Sequence, residues 1–223
     1  MIGVGNTAEV FEYGEGKVCK LFFPGYPKDA VEREYRNAKE VYRLGFPVPA
    51  VYETVVLEGR NGIVYEKIAG KSMLESIFEN PEEAYVYLEQ FVRVQKEWLT
   101  ACSDSVLSYK EYLNVLVKGD GQVVEASLVD EIKDLPEGDT LLHGDFHPGN
   151  ILIAQDNRTV VIDFMNVCRG PALYDIARTY VLLKEKDEAF GRAYLAKTEV
   201  SEDEIATFCS VIEKCRRYEI YGK

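Results

Sequence analysis

Asp145, Asn150 and Asp163 mark out the stretch of this 223-residue chain that carries the most chemistry, LLHGDFHPGNILIAQDNRTVVID from Leu141 to Asp163. A carboxylate, an amide oxygen and a second carboxylate are hard oxygen donors. Mg²⁺ takes such donors, and it is usually held by one or two carboxylates with waters and substrate phosphates completing its shell. Asn150 and Asp163 fit that demand as metal ligands. Asp145 is then left to take a proton from an attacking hydroxyl, the part that a positioned aspartate plays in phosphoryl transfer. Taken one at a time, Asp and Asn in loops are mostly turn-formers. Together around one ribbon they read as a site.

The ribbon that must position them is legible. The apolar run Ile151 to Ala154 and the β-branched run Thr159 to Ile162 flank the turn-forming cluster Gln155-Asp156-Asn157-Arg158, which predicts a short hairpin. Asp145 leads the loop before it, Asn150 closes that loop and Asp163 follows the second strand, so all three leave the hairpin from one end. The string H-G-D-x-x-x-x-N from His143 to Asn150, followed by Ile162-Asp163 on the next strand, resembles the aminoglycoside phosphotransferase and choline kinase family. That resemblance implies an α+β, protein-kinase-like two-lobed fold. A small N-terminal antiparallel sheet with one helix would form a nucleotide-binding lobe over residues 1–66, a hinge would follow at 67–70, and a mainly helical catalytic and substrate lobe would occupy 71–223. It also implies ATP, or GTP, and Mg²⁺ as cofactors.

Residues 3 to 10, GVGNTAEV, predict a glycine turn between two strands, where Gly3 and Gly5 let backbone amides approach phosphates. A dinucleotide-binding fingerprint would need a helix to open there, and Phe11 to Gly16 reads instead as strand and turn. In Lys17 to Phe22 alternation puts Val18 and Lys20 on one face of a strand, and Lys20 is the candidate for the α- and β-phosphates. Ala30 to Leu44 has helical spacing and Gly45 stops it. By the resemblance Glu34 pairs with Lys20, with Glu32 as the competing choice. Ala50 to Leu57 and Gly62 to Ile68 read as strands joined by a turn at Glu58 to Asn61. The resemblance makes Tyr65 to Gly70 the link between lobes, with backbone groups near Glu66 and Ile68 facing an adenine edge.

Helical patterns then run from Pro81 to Thr100, Ser108 to Val117 and Ser127 to Leu135. Acidic residues outnumber basic ones between Lys71 and Asp139, which reads as a solvated face or as a wall that attracts an amine-bearing substrate. Beyond Asp163, Gly170-Pro171 is a turn and Tyr174 opens a helix. Asp175 resembles the family aspartate that braces the metal loop through backbone contacts. Ser201 and Glu204 form a capping box ahead of a last helix, which is expected to end at about Tyr218. By the resemblance His143 and His147 order backbone rather than transfer protons. Two positions depart from protein kinases. Gly144 stands where those enzymes carry arginine, and Met165 where their metal motif has glycine. Only a short connector follows Asp163, so activity is expected without an activating phosphorylation.

The bulk composition narrows the field. With 47% hydrophobic residues the chain can bury a substantial core, and a formal charge of −12 argues against nucleic acid or an anionic membrane as partner. Five cysteines without a C-x-x-C pair fit reduced thiols in a cytoplasmic protein. No secretory leader is visible, and no apolar run approaches the roughly 18 to 20 residues of a spanning helix. Met1 lies almost on the glycine turn, so the first strand is expected to be a stub or the start to lie upstream. The C-terminal part is shorter than in typical aminoglycoside enzymes. The expected function is a small-molecule kinase that moves the γ-phosphoryl of ATP or GTP to a hydroxyl. The alternative is a nucleotide-binding, pseudokinase-type regulator without turnover. Aminoglycoside, choline-like, sugar and amino-alcohol acceptors all share this loop chemistry.

Overall fold

The strand-forming runs in the first third of the chain become one antiparallel sheet, in a computed structural model that describes residues 2–118 and 125–221. Its strands β1 (Gly3–Val4), β2 (Ala8–Glu12), β3 (Lys17–Phe22), β4 (Val51–Leu57) and β5 (Arg60–Glu66) lie in the order β1-β2-β3-β5-β4. The interior strands β3 and β5 carry the buried side chains Cys19, Leu21, Phe22, Ile63 and Val64. Between β4 and β5 the turn is Glu58 and Gly59 alone, with φ of 51° and 77°, the backbone twist that a two-residue hairpin demands. The turn is therefore shorter than its sequence suggests. Arg60 and Asn61 join β5, Leu57 pairs with Arg60, and β5 ends at Glu66 rather than Ile68.

Helix α1 (Lys28–Arg43) packs on this sheet by an apolar stripe of Ala30, Val31, Ala38 and Val41. Each large buried aliphatic contributes on the order of 1.5–3 kcal/mol. Gly45, at φ 84°, ends the helix in the left-handed conformation that glycine adopts without strain. Three polar residues, Glu34, Asn37 and Glu40, are buried on the same helix. That is too many for a purely apolar packing face.

The chain divides into two compact units, Met1–Glu79 with Pro148–Met165, and Asn80–His147 with Asn166–Lys223. The first unit holds the five-stranded sheet, α1, the short α2 (Met73–Glu79) and a second sheet in the order β6-β8-β9. In that second sheet β8 (Ile151–Ala154) and β9 (Thr159–Val161) are the expected hairpin. The third member, β6 (Gly70–Ser72), comes from a stretch that reads in sequence as a linker. A Cβ at Gly70 would lie 2.9 Å from the Ala154 Cα, so only glycine lets the two backbones approach.

The second unit is mainly helical, with α3 (Ala84–Trp98), α4 (Tyr109–Val117), α5 (Ala126–Asp134), α6 (Ala172–Lys186), α7 (Glu188–Thr198) and α8 (Glu202–Tyr221). Leu88, Phe91 and Trp98 of α3, Tyr174 and Ala177 of α6, and Ile205 and Ile212 of α8 are core residues. Two capping boxes start its helices. Ser108 and Glu111 cap α4, and Ser201 and Glu204 cap α8, where the Glu204 N–H reaches the Ser201 hydroxyl at 3.4 Å. A two-stranded pair, β7 (Thr140–Leu142) and β10 (Cys168–Gly170), frames the loop that begins at His143.

Candidate active site

In the first unit the five-stranded sheet and the β8–β9 hairpin enclose a cavity of about 280 Å³. Gly3, Val18, Lys20, Glu66, Ile68 and Asp163 are among its lining residues. Val18 and Lys20 are two apart on one strand, so alternation delivers both to the same wall. Gly5 lies outside the lining, in the turn between β1 and β2, where its N–H donates to the Ala8 carbonyl at 2.9 Å. The Glu66 N–H is committed to the Ala50 carbonyl at 2.8 Å, which leaves its carbonyl as the backbone group to offer a ligand.

The charged centre of this wall is the Lys20 ammonium. It donates to Glu34 Oε1 and Oε2 at 2.7 and 3.0 Å and to Asp163 Oδ1 at 2.9 Å. Glu32 instead makes an exposed pair with Lys28 at 3.5 Å, one helical turn away. Glu34 is fully buried and also accepts from the Tyr65 hydroxyl at 3.2 Å. Burial by itself would make Lys20 easier to deprotonate. The carboxylates of Asp163 and Glu34 more than reverse this and hold the ammonium charged. For Glu34, burial pushes the carboxyl upward against the pull of Lys20. A buried ion pair survives only with such extra hydrogen bonds, because desolvation otherwise cancels the Coulombic gain. Chemically, the result is an ammonium held in place by two carboxylates in a largely apolar cavity, a fixed donor whose charge the two partners already balance.

Asp163 is held on both sides. The Ile162 N–H donates to the Asn150 carbonyl at 2.9 Å, and the Asn37 side chain donates to the Phe164 carbonyl at 2.9 Å. Its own φ is 69°, a left-handed conformation that a non-glycine residue keeps only when its surroundings dictate it. Asn150 closes a 3₁₀ turn, Pro148–Asn150, and is buried. Backbone pairing thus ties Asn150 to the strand that delivers Asp163. One carboxylate and one amide oxygen fit a divalent cation that draws its other ligands from water and phosphate. Among the described residues no group of three His, Cys, Asp or Glu side chains could make a full protein cage.

Asp145 belongs to the second unit, on the loop from His143 to His147. Its N–H donates to His143 Nδ1 at 3.3 Å, and its Oδ2 lies 3.7 Å from His147 Nε2. His143 is fully buried, with Trp98 and Phe146 edge-on to its ring at 5.3 and 5.6 Å. The Gly144 N–H donates to Asp175 Oδ1 at 2.7 Å, and the Gly144 carbonyl accepts from Arg178 Nε. Asp175 thus makes a backbone brace, on the loop that carries Asp145. Burial pushes its carboxyl up, while the Gly144 N–H and His143 act against that shift.

Three participants were not singled out in the sequence. Tyr65 holds Glu34, Asn37 holds the backbone beside Asp163, and Arg178 holds the backbone beside Asp145. Asn37 had a signal, since it stands three positions from Glu34 on the apolar stripe of α1. Tyr65 sits in an apolar strand where an aromatic needs no special reason. Arg178 depends on contacts distant in sequence.

The sequence profile described as "Phosphotransferase enzyme family" matches residues 2–208. A search of curated proteins finds no match. Among solved structures, the choline kinase LicA from Streptococcus pneumoniae superposes with a TM-score of 0.66 at 15% identity, covering 99% of this chain and 82% of that one. An aminoglycoside-3'-phosphotransferase of type VIII gives 0.65 at 16% identity, covering 89% and 84%. The streptomycin–ATP–APH(2")-IIa ternary complex gives 0.55 at 18% identity, covering 99% and 81%. These likenesses show a shared fold.

Proposed function

This chain belongs to the phosphotransferase enzyme family, and we propose that it transfers the γ-phosphoryl of ATP, or of GTP, to a hydroxyl of a small molecule. The observation that carries the reading is the Lys20 ammonium, clamped between Glu34 and Asp163 at 2.7 and 2.9 Å on the wall of an apolar cavity. In this reading the cavity takes the base of the nucleotide, with Glu66 and Ile68 along its edge and Gly3 and Gly5 over the phosphates. Lys20 binds the α- and β-phosphates, and Glu34 keeps Lys20 extended and charged.

Asn150 and Asp163 would hold Mg²⁺, which when bound neutralises charge on the β- and γ-phosphates. Asp145 orients the acceptor hydroxyl and takes its proton as the oxygen attacks phosphorus. Such positioning and charge neutralisation account for most of the rate gain in phosphoryl transfer. The functional division that goes with these roles is a nucleotide-binding part at 1–66, a hinge at 67–70 and a catalytic and substrate part at 71–223. The streptomycin–ATP complex and the choline kinase among the neighbours make amine-bearing alcohols the first acceptors to try. No helix among the described residues is long and apolar enough to cross a membrane, and a cytoplasmic location is part of the same proposal.

The test is an ATP-consumption screen over small hydroxyl compounds with the Asp145→Asn variant as background. Acceptor-dependent turnover should fall about 100- to 10,000-fold in the variant, while Mg-ATP binding stays within a factor of about two. Near-normal turnover in Asp145→Asn would remove the role of that carboxylate. Saturable Mg-ATP binding with no transfer to any acceptor would favour the regulator instead.

A further inference from the structure

We propose that Arg178, held in place by Glu219 from the last turn of α8, is a positioning residue that sets the direction of Asp145 through the Gly144 carbonyl. The proposal rests on the role given to Asp145 above. Asp175 and Arg178 stand three apart on α6 and so share a face of that helix. Asp175 takes the N–H of Gly144 and Arg178 Nε donates to its carbonyl, so the peptide planes on both sides of the Gly144 Cα are gripped. Those two planes define φ and ψ at Gly144. The plane that Arg178 grips is the one that carries the Asp145 amide, whose N–H is held in turn by His143 Nδ1 at 3.3 Å. Asp145 therefore leaves a backbone whose orientation is fixed from α6 and from His143.

What keeps the guanidinium there is on the other helix. Arg178 is only 1% exposed, and its Nη2 donates to Glu219 Oε1 at 2.7 Å. The second Glu219 oxygen accepts from Arg216 Nη1 at 2.6 Å, and Arg216 reaches back to Glu185 of α6 at 2.7 Å. The last turn of α8 thus carries the counter-charge for a residue that touches the Asp145 loop. A buried ion pair is a poor source of stability compared with apolar packing of the same volume. Arg178 Nη1 is moreover buried with no hydrogen-bond partner among the described residues, a cost that packing alone does not repay. The fork geometry is what the place requires, because one arm serves Gly144 and another serves Glu219. The single ammonium of lysine cannot occupy both positions.

Two variants and a control test this on the full chain. Glu219→Gln and Arg178→Lys are compared with Lys214→Gln, which breaks the half-exposed pair, at 2.6 Å, between Lys214 of α8 and Glu131 of α5. The first readout is amide hydrogen exchange over residues 143–147 without nucleotide. Exchange at Gly144 and Asp145 should rise about 10-fold, a change worth about 1.4 kcal/mol, in both variants and not in the control. The second is Mg-ATP turnover with water as acceptor. There kcat should fall about 10- to 100-fold with KM for ATP unchanged, and Glu219→Gln should add nothing in an Asp145→Asn background. Parental exchange in both variants overturns the proposal. So does a kcat loss that recurs in full without the Asp145 carboxylate, or a parental kcat in Arg178→Lys. If exchange responds while the parental protein shows no turnover with water or any acceptor, the kinase reading falls and the loop support stands.

Discussion

Glycine turns up at two places given functional roles here, and the chain uses it differently in each. Around Gly3 and Gly5 there is room, since a Cβ at Gly3 would meet nothing within 4 Å and one at Gly5 only the Ala8 carbonyl at 3.7 Å. At Gly144 there is none. Its φ is 74°, and a Cβ would run into the carbonyl oxygen of Asn166. Both polar groups of Gly144 are also taken, by Asp175 and Arg178. The fold itself requires glycine at 144 and makes no such demand at 3, so any need for glycine there comes from what binds. A glycine in a motif acquires its meaning from its surroundings, and here they separate a residue that shapes the protein from one that makes way for a ligand.

The hardest way to break that contrast is Gly144→Ala. A left-handed alanine costs roughly 1–2 kcal/mol, and relieving the collision with Asn166 adds a further 1–3 kcal/mol or so. Unfolding in urea should show a loss of about 2–5 kcal/mol, with turnover falling at least about 100-fold as the loop shifts. A stable, active Gly144→Ala protein would erase the distinction. Next in size is Glu34→Ala, which probes the rigid feature of the unit that holds the open glycine turn. Removing one partner of a buried ion pair costs about 3–5 kcal/mol when nothing replaces it. Because Asp163 still faces Lys20 at 2.9 Å, the loss should lie at or below the low end of that range, with KM for ATP raised about 10-fold. Parental stability together with parental KM would show that the Lys20–Glu34 pair supports neither the fold nor nucleotide binding.

How much of this was legible depended on how local the cause was. Lys20 could be found because alternation after a glycine turn puts it on the face of Val18, and both line the cavity. The β8–β9 hairpin was legible because its apolar runs and turn residues are contiguous. The β4–β5 turn is two residues shorter than its turn-forming residues suggest, since Glu58 and Gly59 with positive φ suffice and Arg60 is wanted in the strand, where it donates to the Phe22 carbonyl at 2.8 Å. Strand β6 was invisible because three residues that include a glycine and a lysine have no pattern of their own. They become a strand only when β8 lies alongside. Arg178 and Glu219 were invisible for a similar reason, being 41 positions apart with neither unusual for an exposed helix residue until the partner is known.

The smallest predicted effect is the most informative about the open glycine turn. Gly3→Ala adds one methyl group at a site where the protein offers no obstacle, and alanine loses less chain entropy than glycine on folding. Stability should therefore stay level or rise by up to about 1 kcal/mol. If backbone near Gly3 approaches phosphates, that methyl stands where the nucleotide must come close, and calorimetric titration with Mg-ATP should show affinity weaker by about 3- to 10-fold, which is roughly 1 kcal/mol. The two measurements move independently, and this gives the variant its value. Unchanged affinity would mean that the turn does not approach the phosphates, and Gly3 would be an ordinary strand residue. A marked loss of stability would mean that the fold needs glycine there after all, and the contrast with Gly144 would collapse from the other side.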